Sequence, residues 1–388
     1  MTVTPDGVVI ERMPEAFIDI VRRLLPLPTA PYHEHHVIEE VRRFASQRSL
    51  SVEADEFGNL ALSVGTPTSG LCLTAHLDHP ALGLARREST RDILFEKLGG
   101  VPTDLTRDAR VLLYDTAPGR TLPEPIGGGS VTAFLEEGVP GSSTPCPAFR
   151  VRVDGDVPDV ELFAVWDLTP CALEGERIVG RACDDLVGVC VALATLDHCH
   201  EQGASLSVLL TRAEETGFGG MLAAVEAGGL DAEAAYINIE CSSYRAGAPL
   251  GDGPVIRVGD RRWIFDAGVT AALSCCAEKL TRTQPGFRVQ RRLMDGGVCE
   301  ATPLSRSGRA TGAVALPLDN YHNNGGHHLL PEAVHLRDAE NLVTLLSELA
   351  LQPQGARAVV DDSVSALDGM LSSRRALQIE RLRTMKIA

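Results

Sequence analysis

Leu206-Ser207-Val208-Leu209-Leu210 runs straight into Thr211-Arg212-Ala213-Glu214-Glu215-Thr216-Gly217-Phe218-Gly219-Gly220. The short apolar run reads as a buried strand. The glycines behind it permit a tight turn, and Met221-Leu222-Ala223-Ala224-Val225 then starts a helix. Two adjacent carboxylates therefore stand where a strand ends and a turn begins. Neighbouring side chains on an extended chain point to opposite sides. One of the pair can thus face a metal while the other faces a substrate or a water. An isolated Glu-Glu pair is more often a solvated charged loop, so the rest of the chain has to decide.

Composition narrows the classes. With 388 residues, 44% of them apolar, the chain suits one large domain or two with a real core. Its 36 basic against 52 acidic side chains give a net charge of −16. Phosphates would be repelled, which argues against nucleic acid and anionic membrane as partners. No stretch approaches the ~18 consecutive apolar residues of a membrane span. Met1-Thr2-Val3-Thr4-Pro5-Asp6 has neither the basic region nor the apolar core of an export signal. The 10 cysteines contain no Cys-x-x-Cys pair and read as buried thiols of a reducing, cytoplasmic compartment.

Residues 13–26 carry apolar positions at helical spacing (Phe17, Ile20, Val21, Leu24), and Val37–Arg48 does the same. His33, His35 and His36 cluster before that second helix and read as an exposed helix start rather than a metal site. Residues 51–54 and 59–64 flank Asp55-Glu56-Phe57-Gly58 as a hairpin. Gly70–Ala75 is a strand ending in His76-Leu77-Asp78. A metal-bound imidazole needs its second ring nitrogen held, usually by a carboxylate. Taken alone, however, a satisfied core histidine is the commoner outcome. Residues 85–175 are rich in Pro, Gly and Thr. Strand-like runs at 109–114, 149–153 and 160–165 lie between loop-rich connections at 118–129 and 138–147. We read them as an inserted, mostly β domain, with 1–84 and 176–388 forming the main one.

Val189–Leu196 reads as a buried helix. The paired Asp184-Asp185 before it is either an N-cap, the ordinary reading, or a carboxylate shared by two metals. Ala234–Ile239 is a strand ending in Glu240. Gly312–Leu318 is another, followed by Asp319-Asn320-Tyr321-His322. Pro331–Ala350 reads as one long helix. Beyond Leu351 come a polar linker and a last helix that turns basic at Arg374, Arg375, Arg381, Arg383 and Lys386.

Together the strand ends deliver His76, Asp184, Glu214 with Glu215, Glu240 and His322. In open α/β sheets such positions meet in one crevice. Two imidazoles and three carboxylates, with a spare Glu, suit paired zinc, cobalt or manganese. On these stretches, and on Gly251–Gly259 and Asp295–Ala301, the chain resembles the co-catalytic metallopeptidases, most closely the tetrahedral, glutamyl-type aminopeptidases. The resemblance covers roughly residues 15–350.

It implies an α/β/α sandwich with a mixed central sheet and a small inserted β domain serving as lid and oligomer contact. It also implies two divalent ions, zinc foremost. His76 and Glu240 would hold one ion, Glu215 and His322 the other, and Asp184 would bridge them across a cis Asp184–Asp185 peptide. Asp78 would orient His76. Glu214 would be the general base in hydrolysing N-terminal residues from short peptides through a metal-bound water. Partners would be short peptides or small amides and further copies of the chain.

Two points stay open in the sequence. Glu240 stands where aminopeptidases often carry Asp, which keeps a carboxypeptidase- or aminoacylase-like amidohydrolase as the alternative. Counting back from Glu332 would make His328 the last ligand; His322, directly after its strand, is preferred.

Overall fold

The computed structural model describes residues 2–3, 9–10, 15–65, 70–116, 123–139 and 146–385. Residues 13 and 14 of the first expected helix, and parts of both expected loop regions, lie outside these. Along the chain come β1 (Thr2–Val3), β2 (Val9–Ile10), α1 (Glu15–Leu24), α2 (His35–Gln47), β3 (Val52–Ala54), β4 (Leu60–Val64) and β5 (Leu71–His76). They are followed by β6 (Ala81–Arg87), β7 (Asp92–Leu98), β8 (Arg110–Asp115), β9 (Gly127–Leu135), β10 (Ala148–Val153) and β11 (Leu162–Trp166). Next are β12 (Cys171–Glu174), β13 (Arg177–Gly180), α3 (Cys183–Glu201), β14 (Leu206–Thr211), α4 (Gly219–Ala227) and β15 (Ala235–Ser243). The chain continues with β16 (Val255–Gly259), α5 (Ala267–Thr283), β17 (Gln290–Leu293), α6 (Ala301–Arg306) and β18 (Ala310–Asp319). It ends with β19 (Glu332–His335), α7 (Leu336–Ala350) and α8 (Ala356–Thr384).

One mixed sheet runs β12-β13-β19-β18-β15-β5-β14-β4-β3, with β16 and β17 branching from β18. Its centre is parallel: β5 pairs with β14 and β15, and β15 with β18. Strand side chains alternate between faces, and the central strands sort accordingly. Leu71, Leu73, Ala75, Val208, Leu210, Ile237 and Ile239 join the large core beneath α1, α3, α5 and α7. Cys72, Leu209 and Tyr236 face the other way, onto Met221 of α4 and Leu304 of α6. His76, Thr211 and Glu240 continue that second set. They therefore emerge at the parallel strands' C-terminal ends, on the face that the short helices α4 and α6 cover only in part.

The second unit is a closed barrel, β10-β7-β6-β11-β8-β9, filled by Phe95, Val111, Phe149, Val151 and Trp166. Its strands run from Ala81 to Trp166, so a boundary at 84/85 cuts through β6, and Cys171–Glu174 pairs into the large sheet.

Three sequence expectations need correction. Gly127–Gly129, expected in a loop, opens strand β9: glycines there let the backbone pass beside Arg152, whose carbonyl would lie 2.6 Å from a Cβ on Gly129. The expected helix from Pro331 begins only at Leu336. Glu332–His335 is instead β19, recruited by pairing with β13 and β18. The three histidines are not an exposed helix start. His33 stacks on Phe163 of the barrel at 5.2 Å, His35 meets the same ring edge-on at 5.8 Å, and His36 is buried.

Candidate metal centre

The strand ends converge. His76 Nε2 lies 3.4 Å from Asp184 Oδ1, and His322 Nε2 lies 3.9 Å from Asp184 Oδ2. Asp184 thus turns one oxygen toward each imidazole. His322 Nε2 is also 3.4 Å from Glu215 Oε2. Ligand-type atoms within 4.8 Å of one another group His76 with Asp185 and Glu240, and Asp184 with Glu215 and His322. Glu214 joins His76 and Glu215 in a further group. His328 is exposed and is in none of these groups. All six strand-end residues read from the sequence therefore sit around one crevice, and His322 rather than His328 faces it.

Local backbone explains the placement. Asp184 and Asp185 do not cap α3: no side chain caps that helix, and the Asp184–Asp185 peptide is cis. The Asp185 carboxylate folds over Gly188, where a Cβ would meet its Oδ1 at 2.0 Å. Asp78 does more than orient His76. The His76 Nδ1 side faces the Asp78 backbone carbonyl at 3.2 Å and its carboxylate at 3.6 Å. The same carboxylate accepts the backbone N–H of Glu214 at 2.9 Å and of Glu215 at 3.0 Å. One buried Asp thereby fixes both metal-facing strand ends.

Four supporting residues were not read from the sequence. Glu34 accepts the Ala213 N–H at 3.0 Å and pairs with Arg212 at 2.8 Å, which holds Ala213 at φ +52° just before the carboxylate pair. Glu332 accepts the N–H of Asp184 and of His322, each at 2.9 Å. His79 bonds the Asp184 carbonyl at 2.6 Å and the Asn323 side chain at 3.1 Å. Glu300 takes the Thr211 hydroxyl at 2.7 Å. Each lies far along the chain from its partner, and a lone Glu or His carries no local signal of such a bond.

The electrostatics are those of a cluster lacking counter-charge. Burial, with Glu240, Glu300 and Asp78 adding to it, raises the Glu214 carboxyl well above the usual carboxylate range. Burial, then Asp184, pushes Glu240 up to about 8, and burial pushes Glu300 up to about 7. Burial alone would lower the His76 imidazole; Glu214, Asp184, Asp78 and Asp185 outweigh it and raise it. Burial brings His322 down to about 4, so it is neutral at pH 7, as a ligating imidazole must be. Buried His76 Nε2, Asp184 Oδ1, Asp185 Oδ1 and Glu240 Oε2 find no hydrogen-bond partner. Buried polar atoms are normally satisfied, and buried charges are paired or bind metals. The donor set, N and O from strand ends, fits divalent cations.

A fold of this kind around such a cluster defines a co-catalytic metallopeptidase. Residues 158–345, just under half of the chain, match the family described as M42 glutamyl aminopeptidase, in support of a metal-dependent aminopeptidase. A carboxypeptidase- or aminoacylase-like reading is not favoured by that match. Solved structures agree in fold. An aminopeptidase from the archaeon Desulfurococcus kamchatkensis aligns with TM-score 0.70 at 23% identity, over 89% of this chain and 97% of its own. A TET aminopeptidase from a marine sediment archaeon of the Thaumarchaeota gives 0.73 at 16%, over 90% and 100%. The Pyrococcus horikoshii TET peptidase that can assemble into a tetrahedron or a large octahedral shell gives 0.69 at 22%, over 87% and 99%.

Proposed function

We propose that the chain is an aminopeptidase that removes N-terminal residues from short peptides at a centre of two divalent ions, zinc in the first instance. In this reading His76 and Glu240 hold one ion, Glu215 and His322 the other, and Asp184 both. The observation that carries it is Asp184, whose two carboxylate oxygens face two different histidines. When bound, the ions supply Lewis acidity toward the scissile carbonyl and the positive charge that keeps these carboxylates ionised.

The remaining roles belong to the chain. Asp78 receives the Nδ1–H of His76 through its backbone carbonyl and so leaves Nε2 free for the cluster. Glu214 is tied by its N–H to Asp78 but bears its carboxylate toward His76 and Glu215. It takes a proton from the attacking water and returns it to the leaving amine. The segment leaving β7 of the barrel reaches this crevice: a Cβ at Gly100 would lie 2.8 Å from His322 Nδ1, and one at Gly99 would lie 3.0 Å from the Glu215 Cβ. We assign the inserted unit, expected within 85–175, to lid and subunit contact. We place the enzyme in the cytoplasm, and as a homo-oligomer, the latter in line with the assembly of the Pyrococcus horikoshii peptidase above.

Glu214→Gln tests the assignment, because it removes the base and no proposed ligand. Turnover of an aminoacyl substrate should fall at least ~10²-fold, the lower end of general-base effects, with metal content unchanged on the same preparation. Near-normal turnover, or loss of the ions, counts against the role of Glu214.

A further inference from the structure

Helix α8 is seated on the body only at its start. Ala356 and Val360 are buried, and Gly268 of α5 makes room for them: a Cβ there would lie 3.0 Å from both Val360 and Val364. From Val364 to Met385 every residue is exposed. That stretch is about 30 Å of helix at ~1.5 Å per residue. In proteins most helical stability comes from packing an apolar face rather than from propensity.

Such a face exists. Val360, Val364, Leu367 and Leu371 follow one another at steps of four, three and four. Arg374, Gln378, Arg381 and Met385 continue the same seam. An alternation of three and four is the spacing of a helix-on-helix seam. Along it Val364 is 44% exposed, Leu367 53%, Leu371 55% and Met385 76%. Charge is divided along the helix. Asp361, Asp362 and Asp368 lie in the first half, with Arg357, and Arg374, Arg375, Arg381 and Arg383 in the second, with Glu380. Among the described residues, none of those four arginines has a carboxylate within ion-pair distance; the helix's own ion pair is Arg357 with Asp361.

We propose that residues 364–381 pair antiparallel with the same residues of a second copy of this chain, Val364 opposite Arg381, Leu367 opposite Gln378 and Leu371 opposite Arg374. One sequence then supplies both members of each contact, as a two-fold interface requires. In this register antiparallel pairing sets Asp361 and Asp362 beside the partner's Arg381 and Arg383, and Asp368 near its Arg374 and Arg375. Parallel pairing would stack four arginines on four. In the polar stretch of the seam, the aliphatic stems of Arg374 and Arg381 cover the facing Leu371 and Val364 while their heads reach the partner's aspartates. An anionic membrane surface suits the helix less well, since three aspartates flank the apolar seam of a chain already at −16. The contact uses residues unrelated to the metal centre and adds a specific surface to the homo-oligomer proposed above.

Light scattering after size exclusion, across a concentration series of full-length protein, tests it. The variants are Leu367→Glu with Leu371→Glu; Asp361, Asp362 and Asp368 all to Arg; and Arg374, Arg375, Arg381 and Arg383 all to Glu. Peptidase activity retained by each variant establishes folding. Each variant alone should have a lower mass than wild type, and an equimolar mixture of the two charge variants should recover the wild-type mass. Wild-type mass in every variant, or no recovery in the mixture, overturns the pairing, whatever oligomer the barrel sustains. So does co-sedimentation of wild type with vesicles of anionic phospholipid at unchanged mass, which would make the membrane the occupant.

Discussion

His322 is the site residue over which sequence alone is divided, and the structure explains why it faces the cluster. Its backbone lies in the left-handed region at φ +52°, between Asn320 at +53° and Asn323 at +58°. Non-glycine residues in that region need support from their surroundings. Here Glu332 takes the His322 N–H, and Asn323 is gripped by His79 and donates to the Arg181 carbonyl at 2.9 Å. His328 has none of this. We therefore expect His322→Ala to lose one ion and to cut turnover at least ~10²-fold, more than the 10–100-fold typical of a lost supporting partner. His328→Ala should keep both ions. Metal titration of the two variants checks this, and the opposite pattern would mean that the loop rearranges to present His328. At this scale the sequence makes a place in the cluster legible where the residue directly follows a strand, as for His76, Glu214 and Glu240. It was illegible where a donor's partner lies far along the chain, as Glu332 and Glu34 do. Asp184 was a separate case: its local signal favoured a helix cap, and only the joint pattern pointed to a bridge.

Among the elements, the segment joining β7 to the turn before β8 brings the barrel onto the metal centre, and Gly100 sets the distance. Its φ is not in the left-handed region, so what an added methyl meets is crowding: His322 Nδ1 at 2.8 Å and Cε1 at 3.0 Å. Real Cβ contacts are longer, so Gly100→Ala must displace either the loop or the imidazole. We expect affinity at the His322 side of the centre to fall by about 10–100-fold, the range for disturbing a ligand's support, with the other ion retained. Gly155→Ala is the control, since it is also in the barrel unit and has nothing within 4 Å of the new Cβ. Isothermal titration of the metal-free proteins distinguishes them, and equal affinities would remove the barrel from any part in holding His322. Elements that are continuously apolar between turn signals are legible in the sequence: α3, β5, β14 and β15, all buried on both faces. The barrel was read as β from its composition, but β6, β7 and β9 escaped because turn-rich sequence masks short alternation. The strand at Glu332–His335 was read as helix because its strand identity comes from pairing with β13, a tertiary effect that overrides local preference.

For the molecule as a whole, the buried carboxylates make stability depend on what neutralises them. Without ions, Glu240, up to about 8 in the fold, and the other carboxyls raised well above the usual range hold protons that the unfolded chain releases near its ordinary value of 4.5. Folded-state values above unfolded ones give a stability contribution that is full below pH ~4.5 and lost as pH rises through ~8. At pH 7.5 the metal-free fold should therefore carry nearly the whole cost of this charge. Bound ions act in the opposite sense, since they require the deprotonated ligands and compete with protons. A ligand at 100 times its Kd adds about 2.7 kcal/mol, and two such ions add more. Melting temperatures should thus differ widely between chelated and reloaded protein at pH 7.5, by at least ~5 °C. The gap should narrow at pH 5.5, as protons take over the ions' part and the ions bind more weakly. Differential scanning fluorimetry at the two pH values, with zinc, cobalt or manganese added back, gives the four numbers needed. A gap that is constant with pH would mean that these carboxylates stay ionised without metal, and that some counter-charge within the chain already balances them.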